Sequence, residues 1–498
     1  MEEEEPYMSG NTMSTNVEGA SMRPMKGGNS EEGGTPINGR YVTLIVAVAA
    51  LGGLLFGYDQ GVISGAIGLL VTRFGLGTGV EGFITGSFAL GAMAGCLIAG
   101  YSADRLGRKP LLFVAAGLFM FGGVGAGLAS GPTWIIVFRG VGGLAVGIAS
   151  TLVPLYIAEV APARIRGRAV GSFQLSIVTG TLIVYIVNAV VANTHTQAWD
   201  LDLGWRWMFA AAVVPGFIFF ATLLLIPESP RFMVIHGKRA EAKRVLTRIS
   251  GGVPEVAESQ IGEIEATLAL EQEGFWRELF RKGFRTALLV AGLMAIFQQL
   301  TGANAISYYS PIIFRAAGAS ASASLDETIG VGIFKVVFVI VFMLVVDRLG
   351  RRRLLKWGGF GMAACMLALA AAFWTSPLSR MIDFVILLLV FSHVVFYEVS
   401  WSGGTWTVIS EIFPNKIRAR AASICSCVVW FGSYLISQFF PMMLKSWGAS
   451  ATFFTFGCFC IIMSLFIMKF LPEMKKMSLE NIETGWIDKR SELVGSDV

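Results

Sequence analysis

Long apolar stretches separated by short charged segments run from about residue 42 to residue 471. Each stretch has roughly 20 residues, and at about 1.5 Å rise per residue a helix of this length crosses a hydrocarbon layer about 30 Å thick. The pattern therefore predicts an all-α membrane protein of twelve spans. They lie near 42–70, 81–102, 110–129, 133–158, 169–192, 206–226, 286–314, 328–346, 354–374, 382–410, 419–443 and 450–471.

Three segments lack this apolar pattern. Residues 1–40 start acidic and continue Gly-, Ser- and Asn-rich, which predicts a disordered cytoplasmic tail rather than a cleaved signal. Residues 230–285 are charged and broken near Gly251, which predicts a cytoplasmic linker of two or three short helices. Residues 473–498 are predicted as a second cytoplasmic tail. The remainder divides into an N-terminal half, 41–229, and a C-terminal half, 286–472.

Composition supports the membrane class and orients the chain. Hydrophobic residues make up 54% of the sequence and charged residues 15%, well below the roughly one quarter usual in soluble domains. Among the basic residues, Arg139 and Lys335 lie well inside predicted spans, and the others concentrate on one side of the membrane. The few on the opposite side are Arg73, Arg206, Arg315, Arg380 and Lys445. This bias predicts cytoplasmic termini. We expect a plasma-membrane protein without nucleic-acid partners.

A charged motif and its neighbours occur once in each half of the chain, in the same order. The motif Asp104-Arg-Leu-Gly-Arg-Lys109 follows the second span, and Asp347-Arg-Leu-Gly-Arg-Arg352 follows the eighth. The fourth and tenth spans end in Glu-x-x-Pro, at Glu159 and Glu411, and the sixth and twelfth end in Pro-Glu, at Glu228 and Glu473. This repetition predicts two parallel six-helix repeats with a substrate site between them, an arrangement that suits alternating access.

The repeated charges also predict a cytoplasmic gate. Carboxylates at the span ends can pair with arginines of the short loops and hold that side shut while the cavity opens outward. Arginines in these loops also enforce topology, but topology requires neither the motif's spacing nor its repetition. The predicted gating residues are Asp104, Arg105, Arg108, Glu159, Glu228, Arg231, Asp347, Arg348, Arg351, Arg352, Glu411 and Glu473.

Several motifs, taken together and in order, resemble the sugar-porter family of the major facilitator superfamily. They include Gly57-Tyr-Asp59, Arg139-Gly140, Pro227-Glu-Ser-Pro-Arg231, Gln298-Gln-Leu-Thr-Gly-Ala-Asn304 and Trp406 with Glu411. The resemblance covers about residues 42–480. It implies the major facilitator fold, transport of monosaccharides or polyols, and no cofactor.

The resemblance also implies which residues bind the sugar. Carboxamides match sugar hydroxyls, which both donate and accept hydrogen bonds, and aromatic rings match the sugar's C–H faces. Helix-to-helix hydrogen bonding is the structural alternative for such polar residues within spans. The predicted substrate-binding residues are Gln174, Gln298, Gln299, Asn304, Trp406, Tyr308, Phe56 and Trp430.

Three positions depart from the family pattern. Ser402-Gly-Gly-Thr-Trp406 stands where the family often has Gly-Pro-x-x-Trp. Val429 stands where an Asn or Gln commonly precedes the Trp of the eleventh span, and Lys335 stands where the eighth span commonly has an Asn. All three surround the predicted site. The sequence does not choose among glucose, galactose, fructose, xylose and inositol, because recognition of one hydroxyl's stereochemistry depends on sub-ångström placement of the binding groups.

Two pairs of charged residues lie at matching depths in the predicted spans. Asp59 lies roughly 28 Å above the start of its helix at Arg40, and Arg139 lies roughly 9 Å below the outer end of the fourth span. The resemblance implies that this pair is the proton switch, and the structural alternative is a permanent ion pair. Lys335 and Glu398 both lie about 18–20 Å above the cytoplasmic boundary and are predicted to form a second pair.

These features predict a hexose or pentose symporter driven by protons. A facilitative sugar uniporter is the main alternative, and a non-transporting sugar sensor is a second one. We expect a monomer in a lipid bilayer, with a small sugar and protons as its partners. The sequence does not predict an enzyme or a metal site, since the two Cys-x-Cys motifs have no nearby His.

Overall fold

The structure, a computed structural model, describes residues 37–162, 164–270, 282–375, 380–413 and 415–471. Within these ranges all regular secondary structure is helical. The described residues contain 11 helical segments long and apolar enough to cross a membrane. One of them, Ala421–Phe470, covers nearly all of both predicted spans 419–443 and 450–471. The predicted all-α membrane class is therefore confirmed.

The N-terminal spans are mostly single helices. The sixth is composite: α6 (Gln197–Trp199), a π-helical turn (Asp200–Gly204), α7 (Trp205–Ala210), α8 (Val213–Thr222) and a 3-10 turn (Leu223–Leu225). The first five spans are α1 (Gly39–Phe74), α2 (Thr78–Leu106), α3 (Arg108–Leu128), α4 (Pro132–Val160) and α5 (Arg166–Asn193).

The C-terminal spans contain more interruptions. The seventh is split into α12 (Lys282–Gln299) and α13 (Ala303–Ala317), and α14 (Ala321–Leu349) and α15 (Arg351–Trp374) follow. The tenth consists of α16 (Arg380–Phe396), a π-helical turn (Tyr397–Ser402) and α17 (Gly403–Glu411). The last helix, α18 (Asn415–Phe470), turns at Gly448, where φ is +78°.

The linker between the sixth and seventh spans carries α9 (Pro230–Ile235), α10 (Arg239–Ile249) and α11 (Pro254–Leu270). Arg239 binds Glu258 and Glu265, and Lys243 Nζ lies 2.8 Å from Glu258. Hydrogen bonds from Lys243 and Arg239 lower the pKa of Glu258 to about 2. The pairs between α10 and α11 therefore stay ionised at neutral pH. The backbone N–H of Asn38, at the start of α1, donates to the Ile249 carbonyl at the end of α10, at 2.9 Å.

Glycines allow the spans to approach closely. A Cβ added at Gly57 of α1 would lie 1.8 Å from the Ile177 carbonyl oxygen of α5, and one added at Gly91 of α2 would lie 2.0 Å from the Gly140 carbonyl oxygen of α4. Both distances are far below van der Waals contact. Small residues have this role in membrane proteins because helices associate there through packing rather than through release of water.

The N-terminal and C-terminal helices also touch. Gln438 of α18 donates to the Gly79 carbonyl of α2 at 2.9 Å, and a Cβ at Gly82 would lie 2.4 Å from the Gln438 carbonyl oxygen. Along α5 and α14, Asn193 hydrogen-bonds Asp326 at 3.4 Å. The substrate-binding candidates Gln174 and Trp430 lie on two of these same helices, α5 and α18.

We expect the Gly57→Ala variant to be destabilised by about 1–3 kcal/mol or more, because its methyl group would displace the α5 backbone. Gly68→Ala in the same helix is the matched control, since nothing lies within 4 Å of its added Cβ. The control should keep or slightly gain stability, as Ala is the better helix former. Thermal unfolding of the purified protein in detergent measures both, and equal midpoints would contradict the proposed α1–α5 packing.

Candidate functional site

A cluster of amide side chains surrounds the break between α12 and α13. Gly302 adopts the left-handed conformation, with φ of +81°, and separates the two helices. The Gln299 amide nitrogen lies 3.3 Å from Gln298 Oε1, and the Asn304 amide nitrogen lies 2.5 Å from Gln299 Oε1. Gln298 also donates to the Trp401 and Ser402 carbonyls at 3.1 and 3.2 Å. The three predicted amides therefore form one connected group.

Helix α1 reaches this cluster through Gln60, which the sequence reasoning missed. Its amide nitrogen lies 3.2 Å from Asn304 Oδ1 and 3.3 Å from the Tyr308 hydroxyl. Ser433 of α18, also missed, lies 3.2 Å from the same hydroxyl. Both are polar residues within apolar spans, and Gln60 directly follows Asp59. That position was the signal that could have identified Gln60.

Aromatic side chains form a wall beside the amides. The Phe56 and Trp430 rings lie 5.0 Å apart, and the Phe88 ring meets Trp430 edge-on at 5.6 Å. Phe56 and Trp430 are thus brought together, and Phe88 joins them. Trp406 differs, because it is 37% exposed, whereas Trp430 is buried.

Ser402 connects two predicted binding residues from different helices. The Gln174 amide nitrogen of α5 donates to Ser402 Oγ at 2.9 Å, while Gln298 of α12 donates to the Ser402 carbonyl. Gln174 is therefore tied to the tenth span rather than directly to the amide cluster. The sequence motif around Trp406 drew attention to this serine only as a departure from the family pattern.

Asp59 and Arg139 do meet, as their depths predicted, but only loosely. Arg139 Nη1 lies 3.8 Å from Asp59 Oδ1, and Arg139 Nε donates to the Ile84 carbonyl at 2.9 Å. Asp59 Oδ2 and Arg139 Nη1 are buried and have no hydrogen-bond partner. The Arg139 guanidinium lies 5.6 Å from the Phe88 ring centroid. The two charges thus compensate each other without a tight hydrogen-bonded geometry.

Lys335 and Glu398 are buried close to the same region. Lys335 Nζ donates to Ser307 Oγ at 2.6 Å, and the two charged groups are near enough to interact electrostatically. Glu398 Oε2 has no hydrogen-bond partner. His393, one turn away, faces the Thr301 carbonyl at 3.0 Å through Nε2. The predicted direct ion pair of Lys335 and Glu398 remains a prediction.

Several predicted gating residues of the N-terminal half form one network. Arg108 donates to both oxygens of Glu159, at 3.1 and 2.9 Å, and lies 3.0 Å from Asp104. Glu228 accepts from the Arg108 backbone amide at 3.1 Å, and Ser229 donates to Glu159. Paired arginine and carboxylate groups of this bidentate kind are among the stronger charged hydrogen bonds.

The remaining gating candidates have different surroundings. Arg351 binds Glu411 at 2.9 Å, Arg352 donates to the Met468 carbonyl, and the Arg105 guanidinium lies over the Tyr101 ring. The Arg231 guanidinium is close enough to the Glu159 carboxylate to attract it electrostatically. Arg348 likewise interacts with another group of the protein. The side chain of Asp347 and the whole of Glu473 lie outside the described part of the chain.

Known proteins are similar to this chain along most of its length. A family model described as "Sugar (and other) transporter" matches residues 45–486. The arabinose-proton symporter of Bacillus subtilis is 40% identical over 447 residues, which cover 90% of this chain and 95% of the relative. The D-xylose-proton symporter of Escherichia coli K12 is 36% identical over 485 residues, covering 91% and 97%.

Solved structures are similar as well. The partially occluded, inward-open conformation of the xylose transporter XylE from E. coli matches with a TM-score of 0.79 and 34% identity, covering 88% of this chain and all of that one. A proton:xylose symporter structure with bound 6-bromo-6-deoxy-D-glucose matches with a TM-score of 0.76 and 34% identity, covering 90% of this chain and 100% of that one. Both likenesses extend over most of the spans described above.

The charged groups of Lys335 and Glu398 should be energetically coupled. Each single Ala variant leaves a buried charge uncompensated, which typically destabilises a protein by about 3–5 kcal/mol. We expect the double variant to lose less than the sum of the two, with a coupling of about 0.5–3 kcal/mol in a cycle of unfolding measurements.

The control pairs Lys335→Ala with Glu258→Ala, because Glu258 lies in the linker and binds Arg239 and Lys243 instead. These two substitutions should add to within about 0.5 kcal/mol. Additivity in the Lys335–Glu398 cycle as well would argue against their interaction.

Proposed function

This chain belongs to the sugar transporter family of the major facilitator superfamily, and we propose that it is a monosaccharide–proton symporter working by alternating access. One observation supports this most directly. Gln60 follows Asp59 in α1, and its side chain contacts Asn304 and Tyr308 of the amide cluster. Proton-linked changes at Asp59 thus have a short covalent and hydrogen-bonded route to the sugar site.

The chemistry of the Asp59–Arg139 pair suits a proton switch. A charge within the membrane region needs a partner, yet here the nearest approach is 3.8 Å and one carboxylate oxygen has no hydrogen bond. Protonation of Asp59 removes the attraction that holds Arg139. Arg139 then keeps its hydrogen bond to the Ile84 carbonyl of α2, and α1 is free to move with Gln60.

The amide cluster suits a neutral, hydroxyl-rich substrate. Hydrogen-bond donors and acceptors are offered by the carboxamides of Gln174, Gln298, Gln299 and Asn304. Apolar faces are offered by the rings of Phe56, Tyr308, Trp406 and Trp430. A sugar competes for amide groups that now bind one another or the Ser402 backbone. Its binding therefore exchanges hydrogen bonds within the site for hydrogen bonds to hydroxyl groups.

Two sets of contacts provide the alternating gates. The contacts of Gln438 with Gly79 and of Asn193 with Asp326 join the halves at what we assign as the outer end. Trp406, toward the other end, is partly exposed. The Arg108–Glu159 and Arg351–Glu411 pairs each lie within one half. In the opposite conformation these cytoplasmic residues join the halves, and the outer contacts separate.

The named relatives are an arabinose-proton and a D-xylose-proton symporter, and one similar structure holds 6-bromo-6-deoxy-D-glucose. We propose a pentose or hexose as the substrate. The membrane is the plasma membrane, with both termini in the cytoplasm. The transporter functions as a monomer surrounded by lipid. The two six-helix repeats, 41–229 and 286–472, move against each other, and the linker 230–285 connects them on the cytoplasmic side.

In proteoliposomes, an inward proton gradient should drive a labelled pentose or hexose above its equilibrium concentration. Asp59→Asn should abolish this accumulation and leave sugar exchange intact, because the neutral side chain mimics the protonated state permanently. Asp202→Asn is the matched control, since Asp202 pairs with Arg73 at the exposed end of α1; it should accumulate sugar normally.

Accumulation by the Asp59→Asn variant would contradict the proton switch. Uptake by the wild-type protein that equilibrates regardless of the gradient would instead support a facilitative uniporter, with Asp59 and Arg139 as a permanent pair. No uptake of any pentose, hexose or inositol would contradict sugar transport itself and favour a sensor.

A further inference from the structure

Four amide side chains are joined head to tail across the break between α12 and α13. The Gln60 nitrogen faces Asn304 Oδ1 at 3.2 Å, and the Asn304 nitrogen faces Gln299 Oε1 at 2.5 Å. The Gln299 nitrogen in turn faces Gln298 Oε1 at 3.3 Å. We call these four side chains the amide relay. Gln60 belongs to the N-terminal half and the other three belong to the C-terminal half, so the relay crosses between the halves.

The backbone of the tenth span fixes the orientation of every amide in the relay. The Gln298 side chain lies 3.1 Å from the Trp401 carbonyl and 3.2 Å from the Ser402 carbonyl. A backbone carbonyl can only accept, so Gln298 must turn its NH2 group toward them and its oxygen toward Gln299. The same requirement passes from each amide to the next, because two amide oxygens that face each other make no hydrogen bond.

Two hydroxyl groups beside the relay are compatible with this direction. The Gln60 nitrogen also lies 3.3 Å from the Tyr308 hydroxyl, which lies 3.2 Å from Ser433 Oγ. The Asn304 nitrogen faces the same serine oxygen at 3.4 Å. Since a hydroxyl can both donate and accept, Tyr308 accepts from Gln60 and donates to Ser433. Neither hydroxyl requires an amide of the relay to reverse.

The Gln60 carbonyl oxygen is the end of the relay that stays open. Among the described residues it has no hydrogen-bond partner, and it is not one of the fully buried polar atoms without a partner. A small molecule can therefore reach it. The nitrogen of the same amide contacts Asn304 and Tyr308, so the oxygen lies between the halves beside the amide cluster. A polar atom within a span is tolerated where it lines such a space.

We infer that the Gln60 carbonyl oxygen is a sugar-binding acceptor and that the amide relay holds it in this orientation. Both N–H groups of Gln60 are used by Asn304 and Tyr308, so a ligand meets its oxygen. The sugar hydroxyl at this position must donate its proton. Gln60 is then a specificity-determining residue on the same helix as Asp59. The inference rests on the proposed sugar transport and adds a binding residue to it.

Modified sugars distinguish a donor requirement from an acceptor requirement. Replacing one hydroxyl by hydrogen removes both functions, whereas replacing it by fluorine removes the donor and keeps a weak acceptor. At the hydroxyl that meets Gln60, the deoxy and deoxyfluoro sugars should both bind the wild-type protein about tenfold more weakly than the parent sugar, consistent with one lost hydrogen bond. Competition against labelled parent sugar, with the full-length protein in detergent, gives these dissociation constants without requiring turnover.

The Gln60→Met variant identifies that hydroxyl within a set of singly modified sugars. Methionine keeps the length of the side chain and removes its oxygen and both N–H groups. At the position that meets Gln60, the parent and deoxy sugars should bind this variant about equally tightly, while the penalties at the other positions persist. Ser64→Ala is the matched control, because the Ser64 hydroxyl donates to the Gly61 carbonyl within the same helix. It should leave every analogue ratio unchanged.

A deoxyfluoro sugar that binds the wild-type protein clearly better than the deoxy sugar at that position would overturn the inference, since the site would then supply a donor. Penalties in Gln60→Met that match those of the wild type at every position would also overturn it. If Gln60→Met does not fold, Gln60→Asn replaces it, because the shorter side chain withdraws the oxygen, and unchanged penalties there have the same meaning. Failure of the wild-type protein to bind any sugar contradicts the proposed function instead.

Discussion

Inside a hydrocarbon layer the backbone has no water to bind, so each span must satisfy its N–H and C=O groups as a helix. Departures from regular helix are tolerated only where protein or a cavity covers the freed groups. Two of the departures in the described residues fall at Gly302 and in the π-helical turn Tyr397–Ser402. The side-chain amide of Gln298 donates hydrogen bonds to two carbonyls of that turn, those of Trp401 and Ser402. The polar cluster and the irregular backbone therefore depend on each other.

The buried ion pairs of the N-terminal half differ in how completely their hydrogen-bonding groups are satisfied. Arg108 and Glu159 share two hydrogen bonds, and neighbouring backbone and serine groups saturate the network. Asp59 and Arg139 sit 3.8 Å apart with unsatisfied atoms on both sides. A saturated pair holds a geometry, whereas a loose pair can change its protonation state with little rearrangement. Their different geometry matches the different roles that we propose for them.

Glycine packing explains how polar groups from distant helices reach one another. The α1–α5 contact at Gly57 brings the helix of Asp59 and Gln60 against the helix of Gln174. The α2–α4 contact at Gly91 brings Ile84, whose carbonyl binds Arg139, against the helix of Arg139 itself. Larger side chains at these positions would move the helices apart and lengthen every hydrogen bond across them.

The membrane class, the approximate spans and the residue types of the site could all be predicted from the amino-acid sequence alone. Apolar length is a local property that hydrocarbon thickness selects directly, and helical rise alone put Asp59 and Arg139 at the same depth. The repeats also located charged residues that pair within each half, such as Arg351 with Glu411. Which side chains lie in contact depends on how the helices pack against one another. The contacts of Gln60 and Ser433 with Tyr308, and of Ser402 with Gln174, join residues more than 100 positions apart. They depend on helix rotation and close packing, which a local sequence pattern does not specify.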